Sequence, residues 1–469
     1  MLQKALLLLS GNAATSFLTL VRNLLIARMI PVADYGVAAT FGIVMAIVEM
    51  SSTLGLHQQI VQAKDGNAPR FQAALQGFQV LRGVLAGLVL FLMAAPLAAF
   101  FGIPEAAWAY QVLALVPVLR AFGHFDIYRL HRQMRFGPML WSQFVPALVS
   151  VLLVWPLVLW FGDWRAMLWS ILAHVALTLV IGHMLAERRY QLVWDPQIIA
   201  GSLRFGWPLL LNAILMFAVF QGDKMIVGRL LGMEALGLFA MGVTLTLTPT
   251  LVLAKTSKNL FLPLVSQTMR QEEGERSQRL IRFTIESTML YGVSVIVFFI
   301  LFGDLVIRLL LTDVYAPLSQ IIGPLAILFG VRIFKSGLST ISLASARTLS
   351  NLIANLPRIA GLGIAYVVLS QGGTLMQVIW IGILAELAGY LVFIVMLFRH
   401  VRLTLPKLLP SYAVVAVILL HELTVTLWAP GFLPDLSVRY EQLLVAVSFL
   451  VFLFTLSLFR ALGWRLLQR

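Results

Sequence analysis

The sequence predicts an all-α integral membrane protein with fourteen transmembrane helices, and three observations support this prediction. Hydrophobic residues make up 60% of the 469-residue chain and charged residues only 12%, whereas a soluble domain has about 45–50% apolar and about 25% charged residues. Fourteen apolar stretches could each cross the hydrocarbon core, which takes about 20 helical residues. Near-continuous apolar runs, such as residues 149–160, are typical of helices and not of the short alternating segments of a β-barrel.

The fourteen predicted spans are separated by charged links or by links that contain glycine or proline, where helices usually end. The first stretch is interpreted as an uncleaved helix, because its apolar core is shorter than the 7–15 residues usual in a signal peptide. The spans cover approximately residues 5–27, 36–58, 80–101, 107–128, 138–161, 164–185, 205–227, 235–256, 283–302, 316–340, 351–370, 374–398, 408–429 and 441–459.

The basic residues predict the orientation of the chain. The net charge is +14, and if the spans alternate, about two dozen of the Lys and Arg residues lie in links on the side of the N-terminus. Only five lie in the opposite links. This asymmetry is the pattern of loops that stay in the cytoplasm. Both termini are therefore predicted to be cytoplasmic, and the positive charge does not indicate a nucleic-acid partner.

An internal repeat appears when the end of span 1 is placed over the end of span 7. Residues 22–28 then align with residues 223–229, so that Arg28 matches Arg229 and Gly36 matches Gly237. An even number of spans separates the copies, which predicts a parallel repeat with its axis along the membrane normal. The predicted parts are an N-lobe of spans 1–6 (residues 1–186), a cytoplasmic linker (187–204), a C-lobe of spans 7–12 (205–398) and two added helices with a tail (399–469).

Short motifs in both lobes resemble one family. Residues 203–208 (Leu-Arg-Phe-Gly-Trp-Pro), the pair Asp223-Lys224 and residues 235–239 (Ala-Leu-Gly-Leu-Phe) are similar to the second-lobe signature of bacterial polysaccharide exporters. These are the Wzx-like oligosaccharide flippases of the multidrug/oligosaccharidyl-lipid/polysaccharide superfamily. Ala27-Arg28 and residues 34–36 (Asp-Tyr-Gly) resemble the first-lobe signature. Lys224, Phe239 and Pro31 depart from the usual Arg, Tyr and Gly.

The resemblance implies a function. It implies that the protein moves an oligosaccharide linked to undecaprenyl pyrophosphate from the cytoplasmic to the periplasmic leaflet of a bacterial inner membrane. The product would serve O-antigen, exopolysaccharide or capsule biosynthesis. Membrane lipids, a polysaccharide polymerase and glycosyltransferases would be partners.

Polar and charged residues within the spans predict a cationic cavity. A charge at the bilayer centre costs about 2.5–3.5 kcal/mol on insertion scales, so it usually faces a cavity or a partner. Arg presents a planar donor fork that suits a pyrophosphate. The candidate cavity residues are Arg22, Asn23, Glu49, Arg120, Lys224, Arg332 and Lys335. Helix contacts by polar groups, or Lys335 extending to the interface, are the structural alternatives.

Three further residues are candidates for a gate or for ion coupling. Asp223 lies at a depth similar to that of Arg22 and could pair with it across the lobes, either as a gate or as a static pair. Glu386 and Asn355 could join Asp223 in an oxygen site. We expect no metal and no cofactor, with H⁺ or Na⁺ as possible coupling ions. Asn351, Asn355 and Arg358 share one face of span 11.

Other functions are also considered. The sequence has no Gly-rich phosphate loop, no His-Glu-x-x-His motif and no cysteine, so it predicts a protein that is not an enzyme. An ion-coupled drug or small-molecule antiporter of the same superfamily is the alternative transporter, for which twelve spans and an acidic site are expected. A membrane polymerase or ligase would need a large outer loop. A scaffold would tolerate neutral replacement of Arg22, Glu49 and Asp223.

Overall fold

The computed structural model is helical throughout the part of the chain that it describes, which is residues 2–51, 54–271, 274–347, 349–398, 405–428 and 434–456. Within these ranges it has turns and short 3-10 segments, but no strands. The helices are α1 (Leu2–Met29), α2 (Val32–Ser51), α3 (Leu56–Gln62), α4 (Pro69–Phe101), α5 (Ala107–Leu113), α6 (Leu115–Ala121), α7 (Asp126–Arg132), α8 (Gly137–Leu152), α9 (Val154–Phe161), α10 (Arg165–Met184), α11 (Pro196–Leu230), α12 (Gly232–Arg270), α13 (Gly274–Leu310), α14 (Ser319–Ala344), α15 (Leu349–Ile353), α16 (Leu356–Ser370), α17 (Leu375–Phe398), α18 (Leu405–Trp428) and α19 (Pro434–Thr455).

Every predicted span overlaps one helix or a group of consecutive helices. Within the described ranges, ten helical segments are long and apolar enough to cross a membrane, and up to eleven if the bent pair Pro104–Ala121 and Asp126–Arg132 is one span. Leu408–Thr424 and Gln442–Thr455 are shorter apolar helices. The protein is therefore a multi-pass membrane protein, and the count of fourteen stays a prediction. Residues 399–404, 429–433 and 457–469 of the predicted C-terminal part lie outside the described residues.

Span 4 differs from its prediction as a single helix over residues 107–128. The chain forms α5 and α6, turns at residues 122–125, and continues as α7 at an angle of 51°. Span 2 is also shorter than predicted, because α2 ends at Ser51 and α3 starts only at Leu56. Average hydropathy over a window of about 20 residues does not place such breaks, although polar residues such as Asp126 and Ser51 lie close to them.

Contacts divide the chain into two compact units, Met1–Ala240 and Met241–Arg469. In the first unit, α4 packs against α5, α6 and α11, while α8 packs against α1 and α10 and α2 packs against α11. The short helices α3 and α7 lie side by side over an apolar cluster. That cluster consists of Leu54, Leu56, Ile60, Leu75, Phe78, Phe125 and Ile199.

In the second unit, α14 is the central helix. It packs against α13, α15, α17 and α18, and α19 lies against α13 and α18. Gly292 of α13 and Gly330 of α14 face each other, so that a Cβ on Gly292 would lie 2.6 Å from the Gly330 carbonyl oxygen. Small residues allow this close approach, which is how membrane helices gain packing energy without a hydrophobic driving force.

The repeat predicted from the sequence has a counterpart in the packing at the starts of α2 and α12. A Cβ on Gly36 would overlap the Met233 carbonyl oxygen, and a Cβ on Gly237 would overlap the Val32 carbonyl oxygen. Val32 aligns with Met233 at the same offset that aligns Gly36 with Gly237. Each contact is thus the repeat-related copy of the other, as in a self-complementary two-fold interface.

The segment between α10 and α11 is fixed to the other helices of the first unit by hydrogen bonds. Asp195 is the N-cap of α11, and its Oδ1 accepts hydrogen bonds from the backbone N–H groups of Gln197 and Ile198. Arg70 at the start of α4 donates to the other carboxylate oxygen at 2.9 Å. The second half of the predicted linker is therefore the first part of α11.

Candidate functional site

Four of the predicted site residues come together inside the second unit. Arg332 and Lys335 lie three positions apart on α14 and therefore share a face of that helix. Glu386 projects from α17, which packs against α14. Asn355 occupies the junction between α15 and α16. Residues more than fifty positions apart in the sequence are thus brought into one polar cluster.

Glu386 is at the centre of this cluster and is completely buried. Arg332 donates from Nε and Nη2 to Glu386 Oε1, at 2.9 and 2.6 Å. Lys335 Nζ lies 3.4 Å from Glu386 Oε2 and donates to Asn355 Oδ1 at 2.6 Å. The Lys335 side chain is only 9% exposed, so the ammonium is held by partners within the unit and does not extend to an interface.

Arg358 is a member of the cluster that the predicted site set left out. Its Nε lies 3.7 Å from Glu386 Oε1, and its side chain is only 1% exposed. The sequence did place Arg358 on the same helical face as Asn355. Its place at the inner end of span 11, among the basic residues counted on the cytoplasmic side, gave no separate signal for a role in the site.

The neighbouring backbone makes room for these cations. A Cβ on Gly382 would lie 3.1 Å from Arg358 Nη1, and a Cβ on Gly389 would lie 3.2 Å from Lys335 Nζ. Both glycines belong to α17, on either side of Glu386. Three cations thus surround one carboxylate, which leaves the basic cluster (Arg332, Lys335, Arg358 and Glu386) with formal positive charge in excess.

The charges of the basic cluster favour the binding of an anion. Buried like charges repel strongly where the dielectric constant is low. A single carboxylate offsets only part of this repulsion, so an additional anion close to the cluster would be stabilised. The Glu386 carboxylate already contacts the cations. Its role is therefore that of a counter-ion that orients the basic side chains.

In the first unit, four of the predicted cavity residues contact one another in pairs. Arg120 Nη1 lies 3.1 Å from Glu49 Oε2, and both side chains are about half exposed, at 45% and 64%. Arg22 of α1 donates from Nε and Nη2 to Oδ1 of the adjacent Asn23, at 3.3 and 3.2 Å. These residues therefore form two separate polar pairs.

Asp223 and Lys224 occupy consecutive positions of α11. Asp223 is buried and Lys224 is partly buried. Adjacent positions on a helix point about 100° apart, so they serve different surfaces. The pairing of Arg22 with Asp223 as a gate, and the oxygen site of Asp223, Asn355 and Glu386, stay predictions. Within the described ranges no group of three His, Asp or Glu residues could hold a metal ion.

A second charged network, which the site prediction did not include, lies at the end of α10. The buried Asp126 carboxylate accepts hydrogen bonds from the side chain of Arg129 and from the backbone N–H groups of Glu187 and Arg188. Hydrogen bonds from Arg135 and Arg129 hold the pKa of Glu187 below its usual value. This network fixes the segment between α10 and α11, and we assign it a structural role.

Solved structures with the same fold are transporters. The chain is similar to an inward-closed structure of the lipid II flippase MurJ, with a TM-score of 0.69 and 14% identity over 99% of this chain and 100% of that one. An inward-facing multidrug resistance MATE family transporter of the MOP superfamily matches with a TM-score of 0.68 and 16% identity, over 82% of this chain and 94% of that one. At these identities the likeness shows the fold.

Curated relatives are found among exopolysaccharide proteins. The succinoglycan biosynthesis transport protein ExoT of Rhizobium meliloti (strain 1021) is 26% identical over 271 residues. That match covers 57% of this chain and 53% of ExoT, so the chain spans about half the length of this relative. The amylovoran biosynthesis protein AmsL of Erwinia amylovora is 24% identical over 310 residues, covering 64% of this chain and 76% of AmsL.

The family model described as "Polysaccharide biosynthesis protein" matches residues 25–320. This range is well over half of the chain and includes parts of both predicted lobes. The chain belongs to this polysaccharide biosynthesis family.

Proposed function

We propose that this protein is a flippase that moves a lipid-linked oligosaccharide, carried on undecaprenyl pyrophosphate, from the cytoplasmic to the periplasmic leaflet. The observation that carries the proposal is the basic cluster of the second unit, in which Glu386 faces three cations inside a membrane-spanning bundle. The family and its relatives in exopolysaccharide biosynthesis support a role in making a cell-surface polysaccharide. ExoT is described as a transport protein and the solved structures of the same fold are a transporter and a flippase, which supports a protein that is not an enzyme.

The main energetic cost for a flippase is moving the charged headgroup of its substrate across the membrane. Moving a charged, hydrated group through hydrocarbon is very costly unless polar partners replace its water. A diphosphate is multiply charged, and guanidinium groups bind phosphate oxygens through paired N–H donors. A buried cluster with excess positive charge lowers the energy of the diphosphate within the membrane. The lipid chain needs no such help, because it stays in the bilayer.

We place the protein in the bacterial inner membrane with both termini in the cytoplasm, following the distribution of its basic residues. Its substrate and membrane lipids are its immediate partners, with a polymerase and glycosyltransferases acting after and before it. Transport needs no cofactor, and H⁺ or Na⁺ would supply any coupling. Alternating access between the two leaflets would move the headgroup without opening a continuous channel.

The test is the leaflet location of the lipid-linked oligosaccharide in cells that lack the protein. Labelling of the glycan by a membrane-impermeant reagent reports the periplasmic fraction. Wild-type protein should restore labelling, whereas Arg332→Ala and Arg22→Ala should restore little of it. Arg308→Ala is the matched control, because Arg308 is 74% exposed in a surface pair with Asp304, and this variant should behave like the wild type.

Two outcomes would overturn the proposal. Unchanged glycan labelling after deletion would exclude flipping as the function, and full activity of Arg332→Ala would separate flipping from the basic cluster. The likeness to a multidrug resistance transporter makes drug efflux the second candidate. Efflux predicts that deletion raises drug sensitivity and leaves glycan sidedness as it was.

A further inference from the structure

The first unit contains an apolar groove that none of the predicted site residues line. It has a volume of about 820 Å³ and lies between α2, α4 and α11. Among the described residues that line it, all are apolar except Arg82, and Trp207 is the one aromatic side chain. Several wall residues, such as Val89 and Trp207, are 60% and 59% exposed. The groove is therefore open at the surface of this unit, and apolar exposed walls of this kind suit contact with lipid.

The groove follows α4 for a considerable distance. The wall positions of α4 run from Arg82 to Leu97 at helical spacing, and therefore form one face of that helix. At about 1.5 Å per residue this face is about 22 Å long. One leaflet of the hydrocarbon core is only about 15 Å thick, half of the whole. An occupant that fills the groove must continue past the midplane, which the acyl chains of an ordinary phospholipid do not need to do.

Arg82 gives the groove a polar end. It lies in the first turn of the predicted span, at the end that the proposed orientation places in the cytoplasmic leaflet. Its Nη2 donates to Gln79 Oε1 at 2.7 Å. Its Nε is buried and has no hydrogen-bond partner among the residues that the structure describes. A guanidinium with an unused donor in apolar surroundings is complementary to a phosphate oxygen.

We propose that this groove binds the polyprenyl chain of the lipid-linked substrate, with the phosphate end of the lipid at Arg82. The inference rests on the proposed function and adds a site to it, separate from the basic cluster. The groove holds the long apolar chain alongside α4, and Arg82 docks the phosphate on the starting leaflet. The protein thereby selects a polyprenyl phosphate over a diacyl phospholipid by chain length.

The experiment is photolabelling of the full chain in nanodiscs of phosphatidylcholine. The probe is a polyprenyl phosphate with a diazirine in its chain, and labelled peptides are identified by mass spectrometry. We expect labelling to concentrate on the groove face of α4, at residues 85–93. Excess unlabelled polyprenyl phosphate should remove it, and the same amount of phosphatidylglycerol should not.

Variants test the two features of the groove. Ala86→Phe places a ring in the groove and should reduce labelling by excluding the chain. Arg82→Gln removes the charge and should reduce labelling about tenfold, the effect of one lost charged contact. Leu92→Phe is the control, because Leu92 lies on the same helix, is 67% exposed and does not line the groove. Its labelling should equal that of the wild type. The map of the wild-type protein is informative even if a variant fails to fold.

Labelling spread evenly over the lipid-facing helices, or equal competition by phosphatidylglycerol, would overturn the proposal. The outcome is independent of the flipping assay. Specific labelling of the groove together with unchanged glycan sidedness on deletion would refute the proposed function and leave a polyprenyl-binding groove. Loss of flipping on deletion without groove labelling would refute only the groove.

Discussion

Glu386 decides how the three cations of the basic cluster coexist. Because it is fully buried and contacts Arg332, Lys335 and Arg358, its removal leaves like charges facing each other at low dielectric. Breaking a buried ion pair on one side costs about 3–5 kcal/mol. We expect Glu386→Gln to lower the thermal stability of the purified protein markedly, as measured by its unfolding temperature in detergent.

The control for this variant is Asp304→Asn, which removes an acid that is 55% exposed in a surface pair. Such pairs contribute at most about 1 kcal/mol, so little change is expected. The double variant Glu386→Gln/Arg332→Gln should regain part of the stability, because it removes one unbalanced cation. Equal stability of Glu386→Gln and wild type would show that Glu386 does not balance the cluster.

Replacing Arg332 by Lys tests whether the donor geometry of the guanidinium group matters in addition to its charge. Its Nε and Nη2 both donate to one oxygen of Glu386, and an ammonium cannot reproduce this fork. We expect Arg332→Lys to keep most of the stability, since the charge remains, and to lose most of the flipping activity in the sidedness assay. Full activity of this variant would mean that positive charge alone is sufficient.

The sequence predicted most members of this cluster, but not which of them contact one another. Periodicity showed that Arg332 and Lys335 share a face of one helix, and burial of charge made Glu386 a candidate. Which faces meet depends on the packing of α14, α16 and α17, and one sequence has no information on distances between helices. Arg358 shows the same limit: the sequence places it on one helical face with Asn355, but only the packing of the helices shows that it is buried beside Glu386.

At the scale of helices, the contact between the starts of α2 and α12 leaves no room for a side chain. A Cβ on Gly237 would overlap the Val32 carbonyl oxygen, and backbone cannot move aside as a flexible side chain can. Overpacking costs about 1–3 kcal/mol. We expect Gly237→Ala, and its repeat counterpart Gly36→Ala, to lower the unfolding temperature by similar amounts.

Gly42→Ala is the matched control for these variants. Gly42 lies on α2 as well, but a Cβ there would meet nothing within 4 Å. Its replacement should leave stability unchanged or raise it slightly, because Ala favours the helix by up to about 1 kcal/mol over Gly. A loss of stability in Gly42→Ala equal to that in Gly36→Ala would refute the packing explanation.

The start of α11 gives another prediction for a single element. Asp195→Ala removes the N-cap and should cost about 1 kcal/mol, whereas Asp195→Asn keeps a capping oxygen and loses only the ion pair with exposed Arg70. Asp195→Asn should therefore be the more stable of the two in thermal unfolding. Equal losses in both variants would assign the effect to the ion pair.

The stabilisation that the Asp195 carboxylate contributes depends on pH, and the direction of this dependence follows from its pKa. Hydrogen bonds from the backbone N–H of Ile198 and from Arg70 lower the pKa of Asp195 below its usual value. The stabilisation is therefore present above the ordinary carboxyl pKa and is lost as the pH falls through the lower folded value. The difference between wild type and Asp195→Ala should shrink in that acidic range.

Helix ends show why composition predicts elements and misses their interruptions. Gly102 and Gly162 end helices in the left-handed conformation, with φ of 71° and 69°, and both were recognised as breaks in the sequence. The bend before α7 has a weaker signal: Gly123 is a single glycine, and the polar residues of α7, such as Asp126 and Arg129, also fit the polar end of one span. After the bend α7 packs beside α3, and a contact between two separate helices is not visible in the periodicity of either.

For the whole molecule, the orientation in the membrane is the property that the sequence predicts most directly and that the fold leaves open. Helices can be identified without knowing which side is cytoplasmic, since hydropathy has no direction. The distribution of Lys and Arg supplies that direction. It predicts that the link before α4 is cytoplasmic and that the links after α4 and α16 are periplasmic.

This assignment can be tested cleanly because the chain has no cysteine. We expect single cysteines in Glu105→Cys and Gln371→Cys to react with an impermeant maleimide in intact cells, since both residues are exposed and lie in predicted periplasmic links. Asn67→Cys, equally exposed before α4, should react only after the inner membrane is permeabilised. The opposite pattern would invert the topology. Arg82 would then lie in the periplasmic leaflet, to which the substrate is moved, and not in the cytoplasmic leaflet, from which it starts.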